Sequence, residues 1–457
     1  MPTPTTHGPP RLPPGPAMPP LIQAIHLALR PAAFLDSCAR RYGDCFTIGV
    51  PGMARQVVFS HPDAIREIFA DDGDALQAGR ANVILKPVLG SFSLLVLDGP
   101  RHRRDRRLLL PPLHGERMRS FAEDIRSTAD RAIDRWPLGV PFPLHREMQA
   151  ITLEVIFRVV FGLGDDGRFS ELRARLIELI AVASNAVWLM PWMQHAGGGW
   201  LPWGRILRLQ GEIRRLLGAE IARRRAADSD AGADVLSMLL QARDEDGTAL
   251  TDDELCDEMV TLLVAGHETT ATALAWAVHH ILAHPPVHAA IAAELTAARH
   301  QGLAYDARLA QLTFLDATIK ETLRLNPIIP EVGRQLDRPM RIGGRDLPAG
   351  VVAAASIYLA HRRPESWPDP DCFSPERFIG RRPSPEEFLP FGGGIRRCVG
   401  TAFALYEMRC VLARVLERAT LVPAPGYRAR IVRRSVTLAP SAGMPVVVTR
   451  RSDACTS

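Results

Sequence analysis

The segment between Thr251 and the Pro285-Pro286 pair most restricts the architecture open to this chain. Thr251 followed by Glu254 forms a capping box, which marks a helix start. Apolar residues then continue to His284, where the two prolines stop the helix. The 33 residues from Asp252 to His284 make a rod of about 50 Å at 1.5 Å per residue. A helix of that length crosses a whole domain. In its middle stands Ala265-Gly266-His267-Glu268-Thr269-Thr270. Glycine there costs roughly 1 kcal/mol of helix stability against alanine, and a buried acid or hydroxyl needs a partner. A threonine bonded back to its own helix, Thr269 to the Ala265 carbonyl, is the structural explanation.

A second constraint lies at Phe391-Gly392-Gly393-Gly394-Ile395-Arg396-Arg397-Cys398-Val399-Gly400. Three glycines make a turn that side chains would block. The following Thr401 to Arg409 reads as a helix, which puts Cys398 at or just before its N-terminus. Free amides and the positive dipole end there favour a thiolate. Gly400 removes a side chain where a flat ligand could approach the backbone. A buried structural cysteine is the alternative reading. Zinc is poorly served: the next cysteine is Cys410, there is no C-x-x-C, and no histidine follows His361. A single thiolate suits haem, whose porphyrin provides four further donors.

The set Phe391, Gly394, Arg396, Cys398 and Gly400 closely resembles the cysteine-ligand loop of the cytochrome P-450 family. Three further family motifs stand in the expected order: Ala265 to Thr269, Glu321-Thr322-Leu323-Arg324, and Pro375-Glu376-Arg377-Phe378. The resemblance spans about Leu21 to Arg450. It implies a mainly α fold with small β-sheets, a single triangular-prism-like haem domain over 21–450, flanked by a proline-rich tail at 1–20 and a short tail at 451–457. Length alone would suggest about three domains.

The resemblance also assigns roles. Cys398 ligates the iron of haem b, with Phe391, Arg396 and Gly400 in its loop. His102 and Arg106, at i and i+4, together with Arg334, bind the haem propionates. Ala265 and Gly266 leave room for dioxygen, and Glu268 and Thr269 supply protons. Glu321, Arg324 and Arg377 form a structural triad. Leu89, Phe92, Leu94, Leu95, Ala265, Thr269, Ile328, Ile329, Val332 and Thr437 are candidate walls of an apolar substrate pocket. A tryptophan-rich stretch, Trp188 to Trp203, falls where the family carries a lid. The implied activity is a haem-thiolate monooxygenase that takes electrons from an acidic ferredoxin or flavodoxin and its reductase. The arginines between Arg101 and Arg107, with Arg396, Arg397 and Arg409 near the ligand loop, are the expected docking patch. A peroxide-driven hydroxylase of the same fold and a non-catalytic haem sensor are the alternatives.

Composition agrees with an ordinary globular enzyme. Hydrophobic residues make up 47%, enough for a large core. A net charge of +5 is low for a dedicated nucleic-acid binder. Seven irregularly spaced cysteines fit a reducing cytoplasm rather than a disulfide framework. The first twenty residues hold nine prolines, which predicts an extended, poorly ordered tail. Leu21 to Leu29 is too short to span a bilayer, so no membrane anchor is expected. Residues 46–50 and 56–59 read as strands, 31–42 as a helix, and 435–438 with 444–448 as a C-terminal hairpin.

Overall fold

A computed structural model describes residues 12–70, 74–114, 120–162, 169–184, 202–227 and 234–452. Numbering the helices of nine or more residues, the chain opens with α1 (Pro20–Leu29) and α2 (Pro31–Tyr42), each begun by a proline in its first turn. Strands β1 (Cys45–Ile48) and β2 (Gln56–Phe59) follow, then α3 (Pro62–Ala70), β3 (Leu76–Gln77), α4 (Gly99–Leu109) and α5 (Ala122–Asp134). Next come β4 (Phe142–Pro143), α6 (Leu144–Phe161), α7 (Ser170–Ala183), α8 (Pro202–Ala226), α9 (Asp252–Ala283), α10 (Pro285–Arg299) and α11 (Thr313–Leu325). Strands β5 (Glu331–Leu336), β6 (Met340–Ile342), β7 (Arg345–Leu347) and β8 (Val352–Ser356) precede α12 (Thr401–Arg418). The chain closes with β9 (Ala419–Pro423), β10 (Ile431–Arg434), β11 (Thr437–Pro440) and β12 (Pro445–Arg451).

The central element is α9. Both halves of the Thr251–Glu254 capping box are made. Helix α6 runs beside it, and α8, α11 and α12 pack on its other sides. It is buried from Glu254 to Leu263 and from Thr270 to Val278, but Val264 to Gly266 and Thr269 keep uncovered surface. The long helix therefore borders an interior space at its midpoint. The sheets are small: one of five strands in the order β1-β2-β8-β5-β3, one of three, β4-β12-β9, and two hairpins. The five-stranded sheet covers a second, smaller core of Val57, Phe59, Ile65, Ile68 and Leu336.

Two expectations change. The proline-rich tail is tied down from residue 13: Thr47 donates its amide to the Pro14 carbonyl (3.0 Å) and its hydroxyl to the Pro13 carbonyl (2.6 Å). A Cβ on Gly15 would lie 1.8 Å from the Thr47 carbonyl oxygen, so the tail lies directly against β1. The C-terminal hairpin is β10–β11, whereas residues 445–451 pair with β4 and β9 instead. The tryptophan-rich stretch lies outside the described residues except for Pro202 and Trp203, the latter buried at the start of α8.

Candidate active site

The cysteine loop is built by glycines, each for its own reason. Gly392 and Gly394 have φ of +68° and +62°, values that L side chains rarely adopt. Gly393 has no such need, but a Cβ there would stand 2.2 Å from the Phe69 ring of α3. The loop is closed by the Cys398 amide donating to the Phe391 carbonyl (3.0 Å) and by the Thr401 hydroxyl donating to the Cys398 carbonyl (2.8 Å). Gly400 is the N-cap of α12, so Cys398 sits two residues before it. Cys398 lies deep in the protein, yet its surface is uncovered, so its thiol faces the interior space. Burial pushes that thiol up. The Gly400 amide, the Thr401 hydroxyl and the charges of Arg106 and Arg397 pull it back. A metal ion at Sγ would displace the proton outright.

Around the same space stand a buried imidazole and three guanidinium groups. His102 on α4 is buried and its Nδ1 has no partner. Burial and the charges of Arg396, Arg106, Arg334 and Arg103 push it down to about 3. Arg106 has no carboxylate within ion-pair distance among the described residues, and burial lowers its pKa. Arg334 on β5 is buried, 5.8 Å from the Phe69 ring centre. Arg396 donates to the carbonyls of Leu94 and Leu97 and to Asp98, while its Nε is buried without a partner. Burial brings it to about 10. A buried unpartnered imidazole nitrogen among three guanidinium groups suits a ligand that carries carboxylates. A deep, open thiolate donor beside it suits iron. The residues present therefore fit haem.

On α9, Ala265 and Thr269 share the uncovered face, one turn apart. Gly266 keeps some uncovered surface too, but a Cβ there would meet the Ile156 side chain of α6 at 3.2 Å. Its small size allows α6 to approach α9. The Thr269 hydroxyl donates to the Ala265 carbonyl at 2.7 Å. His267 Nδ1 donates to Leu263, Thr270 to Gly266, and Thr152 of α6 to His267. Such extra bonds to helix carbonyls loosen and bend a helix.

Glu268 turns toward α6, where Gln149 donates to its carboxylate. A directed chain lies beside it. Arg434 donates to His145 Nδ1 (3.0 Å), His145 Nε2 donates to Thr272 (3.0 Å), and Thr272 donates to the Glu268 carbonyl (2.8 Å). Burial raises the Glu268 carboxyl, against the pull of Gln149 and Arg434. Sequence reading found Glu268 but not Gln149, His145 or Arg434, which lie more than a hundred residues away.

The triad residues meet with no solvent access to Glu321 or Arg324. Arg324 spends all five of its N–H donors: two on Glu321 (2.7 and 2.8 Å), two on the carbonyls of His361 and Pro370, and one on Cys372. Arg377 Nε stands 3.4 Å from Glu321. His361 was missed in the sequence. Its Nδ1 donates to the Arg324 carbonyl (3.1 Å) and its Nε2 accepts from the Leu389 amide (2.9 Å), two residues before the cysteine loop. It links the triad helix to that loop.

The expected pocket positions differ in exposure. Leu89, Leu94, Ile328 and Thr437 are almost wholly covered by protein atoms. Phe92 lies 5.5 Å below the Arg101 guanidinium, held by its amide to Asp257, and Leu95 is exposed. Ala265, Thr269, Ile329 and Val332 keep uncovered surface. The basic run on α4 is not a free patch. Arg101 pairs with Asp105 and Glu254, Arg104 with Asp244, Arg107 with Glu245, and Arg103 approaches Asp74. Arg409 pairs with Asp316.

A deep cysteine before a helix, carboxylate-binding groups beside it and a long helix open at its midpoint define a haem-thiolate protein. The cytochrome P450 family profile matches residues 9–443. Cytochrome P450 135B1 of Mycobacterium tuberculosis is 39% identical over 97% of this chain and 92% of its own length. Cytochrome P450 135A1 of the same species is 38% identical, covering 94% of each chain. Among solved structures, retinoic acid-bound cyanobacterial CYP120A1 superposes with a TM-score of 0.84 at 23% identity, covering 96% of this chain and 99% of its own. The chain belongs to the cytochrome P450 family. It is a haem b-dependent monooxygenase of the haem-thiolate class. Among the described residues, no helix is long and apolar enough to cross a membrane.

Proposed function

We propose that the protein inserts one oxygen atom from dioxygen into an apolar substrate of the fatty acid, terpenoid, steroid or polyketide class, using electrons from a separate ferredoxin or flavodoxin in a reducing cytoplasm. Haem, when bound, supplies the redox chemistry. Cys398 holds the iron, and His102, Arg106 and Arg334, with Arg396, hold the propionates. Arg396 does so while keeping Asp98, which also caps Gly79 and Arg80. Ala265 keeps the distal face low. Thr269 gives up its bond to Ala265 and orders a proton donor, and Glu268 passes protons inward from the α6 side. The triad fixes the proximal segment. Arg397, a member of the expected patch that is exposed beside the ligand and without an ion pair among the described residues, is the point of contact for an acidic donor.

The observation that carries this reading is Cys398: deep, open to the interior space, and flanked by cations. The test is the carbon monoxide spectrum of the reduced protein. The band diagnostic of thiolate ligation is expected in the parent and absent in Cys398→Ser. Its survival in that variant would overturn the ligand assignment.

A further inference from the structure

The interior space carries one polar group that an apolar pocket does not need. Glu331 opens β5, three residues before Arg334 of the cation group. It follows Ile328, whose carbonyl accepts the Leu438 amide of β11 (2.8 Å), so it stands between that group and the β10–β11 hairpin. Like Cys398, it lies deep in the protein and keeps uncovered surface. Its Oε2 is buried without a partner, and no described residue donates a hydrogen bond to either oxygen. The charge near it is Arg433 of β10, which stands beyond ion-pair distance and spends its Nε on the Ser435 carbonyl. An unpaired carboxylate in such a place is destabilising. Neither the iron ligand, the propionate group nor the proton path uses it.

We propose that Glu331 and Arg433 are a substrate-recognition pair that reads a hydroxyl group on an otherwise apolar substrate. The charge balance selects the class. Arg433 already supplies the positive charge, so a cationic amine is disfavoured and a neutral group is admitted. A hydroxyl donates to the carboxylate and accepts from the guanidinium, completing both. A hydrogen bond to a charged group is worth about 1.5–3 kcal/mol, or roughly ten- to a hundredfold in affinity. This inference rests on the monooxygenase reading and narrows its substrate to an apolar skeleton with one hydroxyl held away from the iron.

The test uses the haem-loaded protein titrated with dodecanol, its methyl ether and dodecane, binding being read from the Soret shift and by calorimetry. Dodecanol is expected to bind at least tenfold more tightly than the ether, which accepts but does not donate. Glu331→Leu should erase that preference and improve dodecane binding. It should also raise Tm, because it removes an unpaired buried carboxyl. Equal binding of alcohol and ether in the parent, a preference that survives Glu331→Leu, or a lowered Tm in that variant would each overturn the proposal. Tighter binding of dodecylamine through Glu331, without ligation to iron, would overturn the choice of a hydroxyl. The carbon monoxide spectrum does not depend on Glu331, so failure of the haem-thiolate reading would show there separately.

Discussion

Substitution of His361 tests whether the link between the triad and the cysteine loop is built as described. The imidazole is fully buried, stacked 5.5 Å from Phe388, with a donor on one nitrogen and an acceptor on the other. Only the neutral ring makes both bonds, and burial beside Arg324 pushes its pKa from 6.5 to about 3. His361→Ala would strand the Leu389 amide and a carbonyl lone pair, at about 1–3 kcal/mol each, and open a cavity worth about 2 kcal/mol or more. The total, about 4–8 kcal/mol, approaches the whole stability of many proteins. His361→Gln is the informative variant, because its amide donates and accepts in the same two directions but does not titrate. The sign follows from the depressed pKa. Above pH 6.5 the ring is neutral in both states and titration contributes nothing. Below 6.5 the unfolded chain binds a proton that the folded chain refuses, so stability falls by about 1.36 kcal/mol per pH unit until about pH 3. At pH 5 the parent has lost about 2 kcal/mol at this site, and the glutamine variant none. Urea unfolding of the haem-loaded proteins from pH 7 to pH 4.5 should give the variant a shallower loss by up to one proton. Identical slopes would refute the buried, neutral histidine and the linkage built on it.

Thr269→Ala should retain haem, thiolate spectrum and substrate binding, yet release most reducing equivalents as hydrogen peroxide; acid–base assistance of about 10²–10⁴-fold is at stake, and full coupling in the variant would reduce Thr269 to helix packing. A peroxide-driven enzyme would keep its yield when fed peroxide, and a sensor would show no substrate-coupled turnover. Gly393→Ala should cost about 1–3 kcal/mol by overpacking and weaken haem retention, with recovery in the Gly393→Ala, Phe69→Leu double variant; an additive double variant would exclude the Phe69 contact. Arg397→Glu should slow reduction by an acidic ferredoxin in a salt-dependent way, whereas Arg104→Ala should lower Tm and leave reduction unchanged, because Asp244 and Asp105 hold it; the reverse pattern would restore the α4 patch.

What the sequence disclosed was local. The α9 limits depend on a threonine, a glutamate three residues on and two prolines. The cysteine loop depends on ten consecutive residues, and its glycines, read as a block, turned out to be two conformational needs and one contact. Residue spacing also placed His102 and Arg106 on one face of α4. In each case the decisive interactions lie within a turn or two of chain. The basic run on α4 misled for the complementary reason. Charge is visible in a sequence, but the acids that neutralise it, Glu254, Asp244 and Glu245, arrive from residues 244–254.

The same limit explains Gly266 and Glu268, where two demands fall on adjacent residues. Gly266 reads as room for a ligand because it sits in a motif, but its missing side chain is used by Ile156, 110 positions earlier. That close approach brings Gln149 and His145, on the same helix α6, against Glu268. A larger residue at 266 would therefore do more than stiffen α9: it would push away the groups that hold the carboxylate. The glycine that weakens the long helix positions the acid two residues later, and the carbonyl-bonded threonines leave that stretch of helix able to tolerate it. Helix weakness, helix contact and proton supply are one arrangement here, and no window of sequence shorter than the α6–α9 separation contains it.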